Sequence, residues 1–115
     1  MNKRKRRKKP TALMPKTKKY YESLGYRVDT VERFICGIGI RKDLFGLFDQ
    51  IAINKRETIG VQTTSATNHR SHVVKLTGPG RELLDIWLEN KQRKAVVISW
   101  KKLGRKWEPF VETLE

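Results

Sequence analysis

Residues 41–65, RKDLFGLFDQIAINKRETIGVQTTS, contain the two apolar runs on which the fold of this chain depends. Phe48–Asn54 and Thr58–Thr64 are rich in β-branched residues, whereas Lys55–Glu57 between them is charged. Two such runs separated by a short polar segment are typical of neighbouring strands joined by a tight turn. The stretch therefore predicts a β-hairpin.

Three polar residues give this predicted hairpin a candidate site. Asp49 stands at the start of the first strand. Gln62 and Thr64 project from the same face of the second strand, because strand side chains alternate between faces. If the strands pair in a suitable register, the carboxylate and the two polar groups converge. The alternative interpretation is an amphipathic hairpin whose polar residues face water.

The charge of the chain is concentrated at its N-terminus. The formal net charge is +14, and residues 1–19 hold ten of the 26 Lys and Arg and no acidic residue. Residues 1–15 are predicted to be a disordered basic tail, since like charges repel and almost nothing apolar can be buried there. The tail indicates a polyanionic partner, with nucleic acid the commonest one. An anionic membrane surface, ribosomal RNA and a role as a nuclear import signal remain open for the tail alone. Its candidate nucleic-acid contacts are Lys3, Arg4, Lys5, Arg6, Arg7, Lys8 and Lys9.

The remaining composition predicts one small domain, residues 16–115, inside a cell. A chain of 115 residues can bury one hydrophobic core. No apolar run has the length of a membrane span, and the N-terminus lacks the apolar stretch of a signal peptide. The single Cys36 cannot form an internal disulfide. A reducing cytoplasm, bacterial or that of a phage-infected host, is therefore the expected location.

The flanking segments complete an α-β-β-β-α-β-β order. A helix is predicted from Pro15 or Lys16 to Leu24, and a strand over Tyr26–Phe34 precedes the hairpin. Helical patterns follow it and are broken around Gly78, and two final strands end the chain. The predicted ranges are Ala66–Leu76 and Arg81–Lys91 for the helices, and Arg93–Lys101 and Trp107–Leu114 for the strands. This order predicts an α/β fold with a mixed central sheet flanked by helices.

The element order, together with the motifs R-x-D-L-F-G-x-x-D and V-Q-x-T-S, resembles the PD-(D/E)XK nuclease superfamily. That superfamily includes restriction endonucleases and Holliday junction resolvases, and the chain looks most like its small phage and bacterial members. The resemblance covers roughly residues 16–110. It implies a restriction endonuclease-like αβββαβ core and a metal-dependent DNA endonuclease, with branched or structured DNA as a candidate substrate. It also allows a homodimer, because many relatives cut two strands as homodimers.

The resemblance also implies a set of site residues. Asp49 matches the metal-binding Asp of the first family motif, while Gln62 and Thr64 stand where the family has an acidic residue and a Lys. In this alignment Gln62 would offer the metal its amide oxygen, and further candidate metal ligands for Mg²⁺ or Mn²⁺ are Asp43 and Glu22. Thr64 cannot supply a positive charge, so Lys75, Arg70 and His69, on the helix that follows, are the candidate substitutes, and Lys75 is the one assigned to catalysis.

Three further residues are candidate DNA contacts: Arg41, His69 and Arg70. Two other functions remain open at this point. The missing motif Lys favours a non-catalytic DNA-binding protein of the same fold. The basic tail alone favours an RNA- or ribosome-associated protein.

Overall fold

The computed structural model describes residues 13–35, 37 and 40–115, with the side chains of residues 34, 35, 40 and 41 left out. Three helices and seven strands occur in these ranges. The helices are α1 (Leu13–Ser23), α2 (His69–Thr77) and α3 (Arg81–Leu88), and a 3₁₀ turn, Ala66–Asn68, precedes α2. The strands are β1 (Arg27–Thr30), β2 (Arg33–Ile35), β3 (Ile40–Lys42), β4 (Gln50–Ile53), β5 (Thr58–Ser65), β6 (Arg93–Leu103) and β7 (Lys106–Thr113).

Five strands form one mixed sheet in the order β1-β4-β5-β6-β7. The pairs β1–β4, β4–β5 and β6–β7 are antiparallel, whereas β5 and β6 are parallel because α2 and α3 carry the chain back between them. The predicted α/β fold with a mixed sheet is thus confirmed. Strands β2 and β3 form a separate two-stranded sheet.

The two faces of the sheet bury two apolar clusters. On one face, Val96, Ile98 and Trp100 pack with Tyr21 of α1. On the other, Ala95 and Val97 pack with residues of α2 and α3 such as Leu76 and Leu84. The continuous apolar run in β6, Ala95–Ile98, is buried. Such a run is typical of a strand that is covered on both faces.

Some predicted boundaries were wrong. The strand predicted over Tyr26–Phe34 is interrupted at Val31–Glu32, where both backbone N–H groups donate to the carbonyl of Asp49, at 2.9 and 3.2 Å. Helix α1 begins at Leu13, inside the segment predicted to be tail. The tail residues 1–12 and Cys36 lie outside the described residues. Among the residues that the structure describes, no helix is long and apolar enough to cross a membrane.

Candidate functional site

Asp43 and Asp49 lie side by side because a tight turn joins them. Leu44 and Phe48 form an antiparallel bridge, and the turn between them passes through two left-handed residues, Phe45 at φ 58° and Gly46 at φ 70°. Glycine adopts such a φ without strain, which suits it to this turn. The positions just outside the bridge are those of the two aspartates, so the turn brings two carboxylates together.

Asp49 is held in a buried position against β5. Its backbone N–H donates to the carbonyl of Val61 at 3.0 Å. Its carboxylate oxygens accept the backbone N–H of Thr63 at 3.3 and 3.2 Å. Only 5% of the residue is exposed. The register of β4 against β5 therefore points this carboxylate inward, as the sequence predicts if the two strands pair suitably.

Burial raises the pKa of Asp49 to about 7, from an ordinary value of 3.8. Desolvation is the largest cause, and the negative charges of Asp43 and Glu32 act in the same direction. The hydrogen bond from Thr63 opposes the shift. Ordinary surface carboxylates are fully ionised at neutral pH. A carboxyl group with a pKa near neutral pH is therefore typical of functional sites.

Gln62 binds Asp43 from the neighbouring strand β5. Its Nε2 donates to Oδ2 of Asp43 at 3.1 Å and to the carbonyl of Leu47 at 2.7 Å. These two acceptors fix the orientation of the amide, and Oε1 takes part in neither bond. Gln62 is buried, so this oxygen belongs to the interior wall of the site.

The carboxylates open into a cleft of about 490 Å³ that also contains positive groups. Helix α2 contributes Lys75 to its wall, so the structure brings together Asp43, Asp49, Gln62 and Lys75 from the sequence-predicted set. The cleft also includes three residues with ionisable side chains that the sequence analysis did not select: Glu32, Lys42 and His72. The spacing of His72 and Lys75 on one helix face was the available signal for His72.

The donor set of the cleft suits a hard divalent cation. Asp43 and Asp49 offer carboxylate oxygens, which Mg²⁺ prefers as ligands, whereas Gln62 directs its Nε2 toward Asp43. Within the described part of the chain, no three His, Cys, Asp or Glu side chains are grouped so that they could hold a metal by themselves. Mg²⁺ is commonly held by one or two carboxylates, with water and phosphate oxygens as its other ligands. The two aspartates fit that pattern.

Thr64 and Glu22 lie apart from the cleft. Thr64 is buried, with 7% exposed, and pairs with Ser99 of β6. It shares the face of Gln62 but does not line the cleft. Glu22 is exposed near the end of α1 and does not line the cleft either. The structure therefore does not group these two residues with Asp49.

His69 and Arg70 line a second pocket, on the β7 side of α2. Nδ1 of His69 lies 2.8 Å from Oγ of Ser99, and Nε2 lies 2.8 Å from Oε1 of Glu112. Both ring nitrogens therefore already have protein partners, whereas Arg70 is exposed. Arg41 lies in strand β3. The other predicted DNA contacts, Lys3 to Lys9, lie outside the described residues.

A basic hairpin tip is the surface feature that the sequence analysis missed. Residues 101–106 read KKLGRK, and all six are exposed at the β6–β7 turn. The parallel register of β5 and β6 pairs Thr63 with Ile98, so this tip extends beyond the same end of the sheet as Asp49. The run of charges was visible in the sequence, but its position at the same end of the sheet as Asp49 depends on strand register. The four cations of the tip are Lys101, Lys102, Arg105 and Lys106.

Comparison with family models, with curated proteins and with solved structures found no match to this chain.

Proposed function

We propose that this protein is a metal-dependent DNA endonuclease that hydrolyses phosphodiester bonds in the Asp49 cleft. The observation that supports this most directly is the juxtaposition of Asp43 and Asp49 with Lys75 in one cleft. Paired carboxylates for a cation beside a positive side chain are the groups that phosphoryl chemistry requires. The basic tail and hairpin tip would supply attraction for the DNA backbone.

We further propose that the fold is the restriction endonuclease-like αβββαβ core. Helix α1 is followed by the antiparallel strands β1, β4 and β5, and the helical crossover then leads to the parallel strand β6. In this interpretation the β2–β3 pair is an insertion between the first two core strands. Strand β7 is an extension at the edge.

Each cleft residue has a specific task in the proposed reaction. A divalent cation, when bound, would lower the pKa of the attacking water and neutralise charge on the phosphate. Asp43 and Asp49 would hold that cation, and the amide of Gln62 would keep Asp43 in place. Lys75 would stabilise negative charge that develops on the phosphate oxygens, the task of the family Lys that Thr64 cannot perform.

A cleavage panel tests this proposal. The full chain is incubated with branched, duplex and single-stranded DNA and with RNA, with Mg²⁺ or Mn²⁺ and with a chelator. We expect DNA to be cut only with metal, and Asp49→Asn to abolish cutting while leaving DNA affinity equal or slightly higher. Asp29→Asn is the matched control, since Asp29 is exposed on β1 and does not line the cleft. Normal cleavage by folded Asp49→Asn would contradict the assignment.

A non-catalytic DNA-binding protein of the same fold is the second candidate. The observation that favours it is that the position where the family has its Lys is occupied by Thr64, an uncharged side chain that is buried and does not line the cleft. In the same panel, tight DNA binding without cleavage under any metal condition would select this candidate. Preferential binding of RNA would instead select an RNA-associated protein.

A further inference from the structure

A second pocket, of about 430 Å³, lies between the start of α2 and the edge strand β7. Its volume falls within the range of small-ligand sites. Phe110 of β7 lies in its wall with 60% of the residue exposed. An exposed aromatic ring offers a π face on which a planar ligand can stack, which makes this pocket a candidate binding site.

The ring of Phe110 packs against His69, a side chain whose position is fixed by two hydrogen bonds. His69 contacts it with ring centroids 4.9 Å apart and an interplanar angle of 50°. His69 is itself held by Ser99 on one ring nitrogen and Glu112 on the other, both at 2.8 Å. Ser99 is only 2% exposed, so the support belongs to the sheet core. Phe110 is therefore a pre-positioned aromatic surface.

Charged groups of both signs surround this aromatic surface. Arg70 from α2 and Lys101 from β6 line the same pocket and can contact phosphate oxygens. Glu108 lies directly opposite Lys101 across the β6–β7 ladder, and its carboxylate can accept hydrogen bonds from base N–H groups. The second carboxylate in the wall, Glu112, is already bonded to His69. An aromatic face, two cations and the carboxylate of Glu108 together match the parts of one nucleotide better than those of an apolar ligand.

We propose that this pocket binds a single unpaired nucleotide of the DNA, with its base stacked on Phe110 and its flanking phosphates contacted by Arg70 and Lys101. The inference rests on the proposed function and names its substrate class: duplex DNA that contains an unpaired base. Both pockets border α2, with His72 and Lys75 on the cleft side and His69 and Arg70 on the other. One DNA molecule crossing the start of α2 can therefore occupy both.

Binding measured without metal separates this site from catalysis. The full chain is titrated, in the presence of EDTA, into duplex DNA carrying one 2-aminopurine as a single-base bulge, and into the same duplex with 2-aminopurine paired. We expect the bulged duplex to bind about tenfold more tightly, because stacking of a base on an aromatic side chain contributes substantially to affinity. Its 2-aminopurine emission should fall on binding as the base stacks.

Phe110→Leu should remove both the tenfold preference and the quenching, since leucine keeps apolar volume but has no π face. Phe110→Trp should retain them. Ile86→Leu is the control, because Ile86 is 57% exposed but lines a different pocket. Equal binding of the two duplexes, or an unchanged preference in Phe110→Leu, would overturn this inference and leave the proposed endonuclease intact. Failure to bind any DNA would overturn both.

Discussion

Nε1 of Trp100 donates to Oγ1 of Thr17 at 3.0 Å, a buried hydrogen bond that joins α1 to β6. The same Thr17 oxygen accepts the hydroxyl of Thr63 on β5, also at 3.0 Å. One side chain of α1 thus contacts the two parallel strands of the sheet. Thr63 is also the residue whose backbone N–H holds Asp49, so the position of α1 is coupled to that of the cleft.

Thr17→Val should lower the free energy of unfolding by about 1–3 kcal/mol, because it leaves the buried indole N–H of Trp100 without an acceptor. Valine is close to threonine in shape, so loss of packing should contribute little. Urea denaturation measures the change, and Thr113→Val on an exposed strand position is the control. Equal effects of the two substitutions would show that the hydrogen bond does not stabilise the fold.

Asp49→Asn should change how stability depends on pH in metal-free buffer. The folded-state pKa of about 7 lies above the ordinary value of 3.8. The stabilisation linked to the Asp49 proton is therefore fully present below pH 4 and is lost as the pH rises through 7. The variant should gain stability relative to the native protein between those pH values, by at most roughly 4 kcal/mol. Asp29→Asn, at an exposed position on β1, is the control in parallel denaturation series.

Gly60→Ala should destabilise the protein, because a Cβ at this position would lie 2.5 Å from Cε2 of Phe48. Phe48 is fully buried, so its ring has little space into which it can move. Overpacking of this kind costs roughly 1–3 kcal/mol. Thermal denaturation checks the loss, and adding Phe48→Leu to Gly60→Ala should recover part of it. If the double variant is simply the sum of the single ones, the steric explanation is wrong.

Lys75→Ala should reduce metal-dependent DNA cleavage about 100-fold or more without a matching loss of DNA affinity. The reason is that a well-placed positive or hydrogen-bonding group acts mainly on charge that develops in the transition state. Single-turnover rates at saturating enzyme isolate this effect from binding. Lys91→Ala, at an exposed position that does not line the cleft, is the control and should cut at the native rate.

The basic hairpin tip should account for part of the salt dependence of DNA binding. Replacing its four cations with Gln should lower the slope of log K against log salt by up to about 0.9 for each phosphate that the tip no longer neutralises. A matched control replaces four exposed cations at the opposite end of the sheet: Lys55, Arg56, Lys91 and Lys94. Equal slopes in the two variants would exclude the tip as a DNA-binding surface.

Deletion of residues 1–9 should weaken nucleic-acid affinity and flatten its salt dependence while the domain stays folded. The deleted segment holds seven Lys and Arg and only one apolar residue, Met1, so counterion release would fall without loss of buried area. Circular dichroism checks folding and anisotropy titrations check binding. An unfolded truncation would show instead that these residues contribute to the core.

Local sequence patterns were sufficient to predict the two strands of the central hairpin. Alternation and β-branched residues identified β4 and β5, and the shared face of Gln62 and Thr64 follows from strand geometry. Strand geometry does not predict whether Gln62 or Thr64 reaches the cleft, because that depends on where α2 packs across β5. Gln62 lies under the turn that carries Asp43, whereas Thr64 is buried beside Ser99.

Long-range pairing accounts for the features that the sequence did not predict. The interruption at Val31 and Glu32 arises because their N–H groups bond to the carbonyl of Asp49, 17 or 18 residues away. Glu32 thereby lines the cleft, although no local sequence motif indicates that position. The basic tip is likewise visible as a charge run, but only the parallel register of β5 and β6 brings it to the same end of the sheet as Asp49.

The edges of the main sheet determine whether copies of this chain can join by strand addition. Pro109, which lies opposite Trp100 near the middle of β7, has no N–H to offer an incoming strand. At the other edge, β1 is only four residues long and carries the exposed charges of Arg27 and Asp29. Short, charged or proline-containing edges resist edge-to-edge aggregation. Any assembly of this chain should therefore form through side-chain surfaces, and concentrated solutions should resist fibril formation.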